Sequence, residues 1–195
     1  MKVFVVYCHP SRTSFTYQVY LQFMRGLQAA GHTVVVSDLY EMGFTSDMTG
    51  DEYLKETYYK SDVPVAEDVR LEQEKIQSSD AIAWIYPVFW TEAPAKLVGW
   101  FDRVWTTGFA YTPNPRMKTL DKALVIACAG KTAQSLAETG EKAAMETVML
   151  GDRIRDRAKE KEMVIFDGIT HWDEPLRDQL APVHLKRAYQ LGLEF

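Results

Sequence analysis

Short, nearly unbroken apolar runs recur along the chain, separated by longer stretches whose apolar positions fall on one helical face. The first run, Val3-Phe4-Val5-Val6, predicts a strand over Lys2–Tyr7. Val19, Leu21, Phe23, Met24 and Leu27 predict a helix over Phe15–Ala30 that stops at Gly31. Further strands are expected at Thr33–Val36, Ala81–Tyr86, Ala123–Cys128 and Met163–Phe166. Further helices are expected at Val65–Gln77, from Pro94 to Trp105, at Glu138–Glu160 with breaks at Gly140 and Gly151, and at Pro182–Leu191. Residues 41–64 lack a clear period and carry Gly43, Gly50 and Pro64, so they read as a long excursion with one short helix.

Strands separated by helices need crossovers, which makes the sheet parallel and its connections right-handed. Near-continuous apolar strands fit a sheet covered on both faces. The expected fold is therefore α/β, a doubly wound five-stranded parallel sheet of the flavodoxin-like order 2-1-3-4-5. A ligand would sit at the carboxyl ends of strands one, three and four. The 195 residues suit a single domain spanning 1–195, and 47% hydrophobic with 25% charged residues is an ordinary soluble composition.

A net charge of −5 without a basic stripe argues against nucleic acid. No apolar run approaches the ~18 residues of a membrane span, and the N-terminus enters a strand without a signal-peptide pattern, so a cytoplasmic location is expected. Cys8 and Cys128 each end an apolar run and read as buried thiols rather than a disulfide. His9, His32, His171 and His184 lack metal-ligand spacing, so no metal is expected. Gly-x-Gly and Gly-x-Ser-x-Gly are both missing, which argues against a dinucleotide fingerprint, a Walker loop and a serine hydrolase.

The candidate chemistry lies at strand ends. "YCHPSRTSFTY" (7–17) joins strand one to a helix and packs His9, Ser11, Thr13 and Ser14 closely together. The first turn of a helix offers unpaired N–H groups to an anion, and the hydroxyls and the imidazole add donors. The dipole itself supplies only ~0.3–1 kcal/mol, so the bundled donors matter more. The competing reading is that Thr13 or Ser14 merely caps the helix. "YPVFWTEAPAKLVGWFDRVW" (86–105) follows strand three, with Trp90 on a loop stiffened by Pro87 and Pro94, placed to wall a flat ligand. Trp100 and Trp105, on the helix's apolar face, read as core. "ACAGKT" (127–132) leaves strand four with small residues, which either let backbone N–H groups approach a ring or simply make a tight turn. Asp102-Arg103 reads as a structural or interface ion pair.

"HPSRTSF", "DLYEMGF", "YPVFW" and "PAKLVGWFDRVWTTGFAY" together make the chain resemble the flavodoxin-like NAD(P)H:quinone oxidoreductases, the DT-diaphorase and modulator-of-drug-activity group. The resemblance runs from strand one to about Tyr111. It implies a non-covalent flavin, FAD or FMN, whose phosphate region is held by His9, Thr13, Ser14 and Phe15. Pro87, Val88, Phe89 and Trp90 would line the isoalloxazine, and Ala129 and Gly130 would offer it backbone donors. Tyr111 would face the pocket of a partner subunit, because members are homodimers with interface active sites.

The activity so implied is two-electron reduction of a quinone or similar flat acceptor by NADH or NADPH, through ping-pong hydride transfer. The alternatives are a flavodoxin-type electron carrier and a regulatory flavoprotein subunit of a membrane transporter. Two departures stand out. Ala127-Cys128-Ala129-Gly130 replaces the family's Thr-Thr-Gly-Gly, which keeps backbone donors but loses hydroxyls. The tyrosine and histidine that mammalian members place beyond this loop have no counterpart, leaving Lys131, Ser135 and Glu138 as candidates for proton relay.

Overall fold

The computed structural model describes residues 1–112 and 114–195. Strands β1 (Lys2–Tyr7), β2 (Thr33–Asp38), β3 (Ala81–Pro87), β4 (Leu120–Cys128) and β5 (Ala158–Phe166) form one parallel sheet in the order β2-β1-β3-β4-β5. This is the expected flavodoxin-like order. The chain reverses direction across the sheet between β1 and β3, and connections leaving these strands diverge to open a crevice at their carboxyl ends.

Alternate residues of each strand feed opposite cores. Phe4, Val6, Trp84, Tyr86 and Val125 pack under α3 (Glu67–Gln77) and α4 (Ala95–Val104), against Ile76, Leu97, Trp100 and Phe101. Val3, Val5, Tyr7, Ile85 and Ile126 pack under α1 (Phe15–Ala29) and α7 (Glu174–Leu193), against Val19, Phe23, Leu27, Ala188 and Leu191. The two cysteines fall on opposite faces, Cys8 toward α4 and Cys128 toward α1, so they cannot pair. Burial pushes both thiols up to about 12.

Two close approaches fix helices that border the crevice. A Cβ at Gly26 would fall 2.2 Å from the Tyr189 carbonyl oxygen, and one at Gly192 would fall 2.2 Å from that of Phe23. Helices α1 and α7 therefore touch backbone to backbone. At Gly99 a Cβ would lie 2.2 Å from the Ser46 carbonyl oxygen, so the glycine of "KLVGW" lets the excursion lie across α4.

The excursion holds the expected short helix, α2 (Gly50–Thr57), begun by a capping box between Thr49 and Glu52. The helix expected over Glu138–Glu160 forms in part: after a separate α5 (Ala133–Glu138), α6 (Glu141–Glu146) runs directly into a π-helix (Thr147–Ile154), with the break expected at Gly140 but none at Gly151. Gly140, at φ +76°, separates α5 from α6; Arg155, at φ +49°, ends the π-helix, and β5 begins at Ala158. The Ala-Lys-Glu-Lys-Glu run that suggests helix is the solvent-facing start of an edge strand, where charges discourage further pairing. The last helix starts at Glu174 with Asp173 as its cap, so Pro182 lies inside it rather than at its first turn. Arg103 pairs with Asp68 and Glu52, not with its neighbour Asp102, which is exposed.

Candidate functional site

At the end of β1 the hydroxyl-rich turn is internally bonded. Ser14 is the N-cap of α1: its Oγ accepts the Tyr17 N–H at 3.1 Å and donates to the Ser11 carbonyl at 2.9 Å. The capping reading therefore holds for Ser14, whose one proton is used within the turn. Thr13 is exposed, its Oγ1 2.9 Å from Ser11 Oγ, and the Phe15 and Thr16 N–H groups are first-turn donors that the helix leaves unused. His9 Nδ1 accepts the Ser11 N–H at 2.9 Å. Its proton consequently sits on Nε2, and burial lowers its pKa below the ordinary 6.5. The Tyr7 hydroxyl, buried at the foot of this turn, has no hydrogen-bond partner among the described residues. A neutral imidazole donor, the one hydroxyl proton that the Ser11–Thr13 pair does not use between its own oxygens, and two N–H groups form a set that matches an anionic tail.

After β3 the chain makes a two-residue hairpin: Phe89 and Glu92 exchange both backbone hydrogen bonds, at 2.8 and 3.0 Å. Trp90 and Thr91 at its tip have φ of +52° and +66°, the left-handed pair that a type I′ turn demands. For a tryptophan and a β-branched threonine this is strain of order 1–3 kcal/mol each. It holds the Trp90 side chain fully exposed, at 100%. Trp100 and Trp105 behave as core, their indole N–H groups bonded to Glu72 at 2.8 Å and the Arg153 carbonyl at 2.7 Å.

After β4 the loop turns beside the hairpin, since Pro87 and Cys128 are register partners. A cavity of about 530 Å³ opens between them, lined by Val88, Trp90, Ala129, Gly130, Lys131 and Leu136, with Thr91, Glu141, Thr170 and Trp172 completing the wall. The Ala129 N–H is spent on the Phe166 carbonyl at 2.8 Å, so Ala129 shapes the cavity without donating. The Gly130 N–H has no acceptor among the described residues. On the lip, Lys131 Nζ lies 2.6 and 2.8 Å from the two Glu141 oxygens, and Thr91 Oγ1 donates to Glu141 at 3.2 Å. Lys131 holds the Glu141 carboxyl below the usual range.

The structure thus gathers Val88, Trp90, Ala129, Gly130 and Lys131 around one cavity. His9, Thr13, Ser14 and Phe15 stand together at the end of β1, one strand over from β3. Pro87 is buried in the sheet, and Phe89 lines a separate groove on the other side of the hairpin. Ser135 and Glu138 do not line the cavity. Neither does Tyr111, whose hydroxyl donates to Glu56 at 2.5 Å. Thr91, Leu136, Glu141, Thr170 and Trp172 are the members that sequence reasoning missed.

A strained aromatic hairpin and a donor-rich helix start at the switch point of a 2-1-3-4-5 sheet define a flavodoxin-like site. A family model described as a flavodoxin-like fold matches residues 1–153. The chain is 42% identical to an NAD(P)H:quinone oxidoreductase from Methanothermobacter marburgensis, with a TM-score of 0.92 over 99% of this chain and 96% of that one. It is 34% identical over 157 residues to the ribosyldihydronicotinamide dehydrogenase [quinone] of Pongo abelii, covering 71% of this chain and 68% of that protein. To NAD(P)H dehydrogenase [quinone] 1 of Rattus norvegicus it is 34% identical over 125 residues, 57% of this chain. This chain spans about half the length of the rat relative, the match covering 45% of it. The chain belongs to the flavodoxin-like fold family, in its NAD(P)H:quinone oxidoreductase branch.

Proposed function

We propose that this protein is a flavin-dependent NAD(P)H:quinone oxidoreductase, passing two electrons from NADH or NADPH to a quinone or similar flat acceptor. The observation that carries the reading is the roughly 530 Å³ cavity walled by a fully exposed Trp90 on a strained turn, one strand away from the donor-rich start of α1. When bound, FAD or FMN would supply the two-electron carrier that amino-acid side chains lack. His9 Nε2, the Thr13 hydroxyl and the Phe15 and Thr16 N–H groups would hold its phosphate, with Ser14 keeping the helix start in place. Val88 and Trp90 would line the ring, and Gly130 would donate to its polar edge. Pro87 stiffens the approach to the hairpin. Of the relay candidates, Lys131 is the one at the cavity, where Glu141 holds its Nζ proton at the lip.

Similarity to the archaeal quinone oxidoreductase over nearly the whole of both chains supports this reading. Two buried thiols that cannot pair fit the reducing cytoplasm. Residues 1–195 form one domain in this reading. A homodimer with Tyr111 reaching the partner's cavity accounts for that residue's distance from its own. An absorbance scan of the purified protein, with mass spectrometry of what it releases, tests the core claim. A flavin spectrum, NAD(P)H oxidation and parallel double-reciprocal plots are expected, and Trp90→Ala should weaken flavin retention or turnover. A protein that stays colourless after soaking in FMN and in FAD would overturn the reading.

A further inference from the structure

We propose that Trp172 is a specificity-determining residue of the cavity, stacking on the exchangeable flat ring, nicotinamide or quinone, that each half-reaction brings in. The proposal rests on the function proposed above and goes beyond it in assigning a contact for the substrate. Trp172 is 99% exposed and lines the same cavity as Trp90. Two fully exposed tryptophans on one small cavity are an arrangement that hydration alone disfavours and a flat guest would relieve.

The loop carrying Trp172 is stitched to the loop that carries Gly130. Gly168 N–H donates to the Lys131 carbonyl at 3.0 Å, and Ile169 N–H to the Ala129 carbonyl at 3.1 Å. Thr170 lies against Gly130, where an added Cβ would sit 3.6 Å from the threonine's own. Thr170 Oγ1 in turn accepts the Trp172 N–H at 3.2 Å, and Asp173 caps α7 by accepting the Leu176 N–H at 3.0 Å. Trp172 is therefore tied to the same frame as the ring-binding loop.

The division of labour follows from the donors. The polar contact suited to a resident ring comes from the Gly130 N–H, because the Thr91 hydroxyl is spent on Glu141. Trp172 contributes an indole face and a single N–H. That chemistry suits a ring held by stacking and released at every turnover. A cavity of about 530 Å³ lies within the ~300–1,000 Å³ range of pockets that take such groups.

The test compares wild type, Trp172→Ala and Trp172→Phe as holoproteins. Oxidised NAD or NADP, which binds the oxidised protein without reacting, is titrated through the perturbation it causes in the flavin absorbance. In Trp172→Ala its dissociation constant and the KM for a naphthoquinone should rise about three- to tenfold, while the flavin dissociation constant changes less than about twofold. Trp172→Phe should restore most of the affinity. An unchanged nucleotide affinity in Trp172→Ala overturns the proposal. So does a flavin constant that rises by the same factor, because Trp172 would then wall the resident ring. Wild-type protein that binds no flavin overturns the functional reading, and this proposal with it.

Discussion

A side chain's neighbour decides what it can donate, and His9 is the sharpest case. With Nδ1 occupied by the Ser11 N–H, the neutral imidazole carries its one proton on Nε2. Burial lowers its pKa in the fold, so the folded state binds fewer protons than the unfolded chain. Stability from this group is then present above the ordinary 6.5 and is lost as pH falls below it. His9→Asn keeps an acceptor for Ser11 but cannot titrate. Urea midpoints at pH 7.5 and 5.5 should fall more in wild type than in His9→Asn, and equal falls would mean that the Nδ1 contact carries no proton linkage. At this scale the sequence was partly legible. Trp90 stood out because two prolines bracket it at a strand end. Glu72, completely buried yet bonded to Trp100, Ser37 and Lys75, did not, because its partners come from β2, α3 and α4. Glu141 and Trp172 were hidden for the same reason, since their significance lies in what folding brings near them.

Among the elements, the hairpin after β3 is the one whose local chemistry conflicts with its shape. Type I′ turns favour Asn-Gly, and Trp-Thr occupies this one with both residues left-handed. Replacing Trp90-Thr91 by Asn-Gly should stabilise the protein by about 1–2 kcal/mol, after a partial offset for the lost Thr91–Glu141 hydrogen bond. The same change should weaken flavin binding, because the aromatic wall goes. A chemical-denaturation midpoint and a flavin titration on one variant separate the two effects. No gain in stability would show that the turn is unstrained. Sequence patterning read the strands well, because parallel strands buried on both faces are unbroken apolar runs. It failed at the start of β5, where lysine and glutamate alternate from Lys159 to Glu162. That composition suits a helix surface and an edge strand alike, and only pairing with β4 decides between them.

For the whole molecule, strand order was legible because alternation of strands and helices leaves few right-handed solutions. Tyr111 shows what one chain cannot disclose. Its hydroxyl is bound to Glu56, which also takes the Thr107 N–H at 2.7 Å and Lys55 Nζ at 2.8 Å, so a built support holds this tyrosine away from its own cavity. If two copies associate so that each Tyr111 completes the other's site, lesions in Trp90 and in Tyr111 complement in trans. A dimer of one Trp90→Ala chain and one Tyr111→Phe chain has one doubly damaged site and one intact site. Mixing and refolding the two variants in equal amounts makes half the dimers mixed, so activity should return to about a quarter of wild type, above either variant alone. Sites completed in cis leave every site damaged, and mixing then yields no more than the mean of the two variants. Sedimentation velocity on the same mixture supplies the control, since dimer mass without complementation would assign Tyr111 to its own chain.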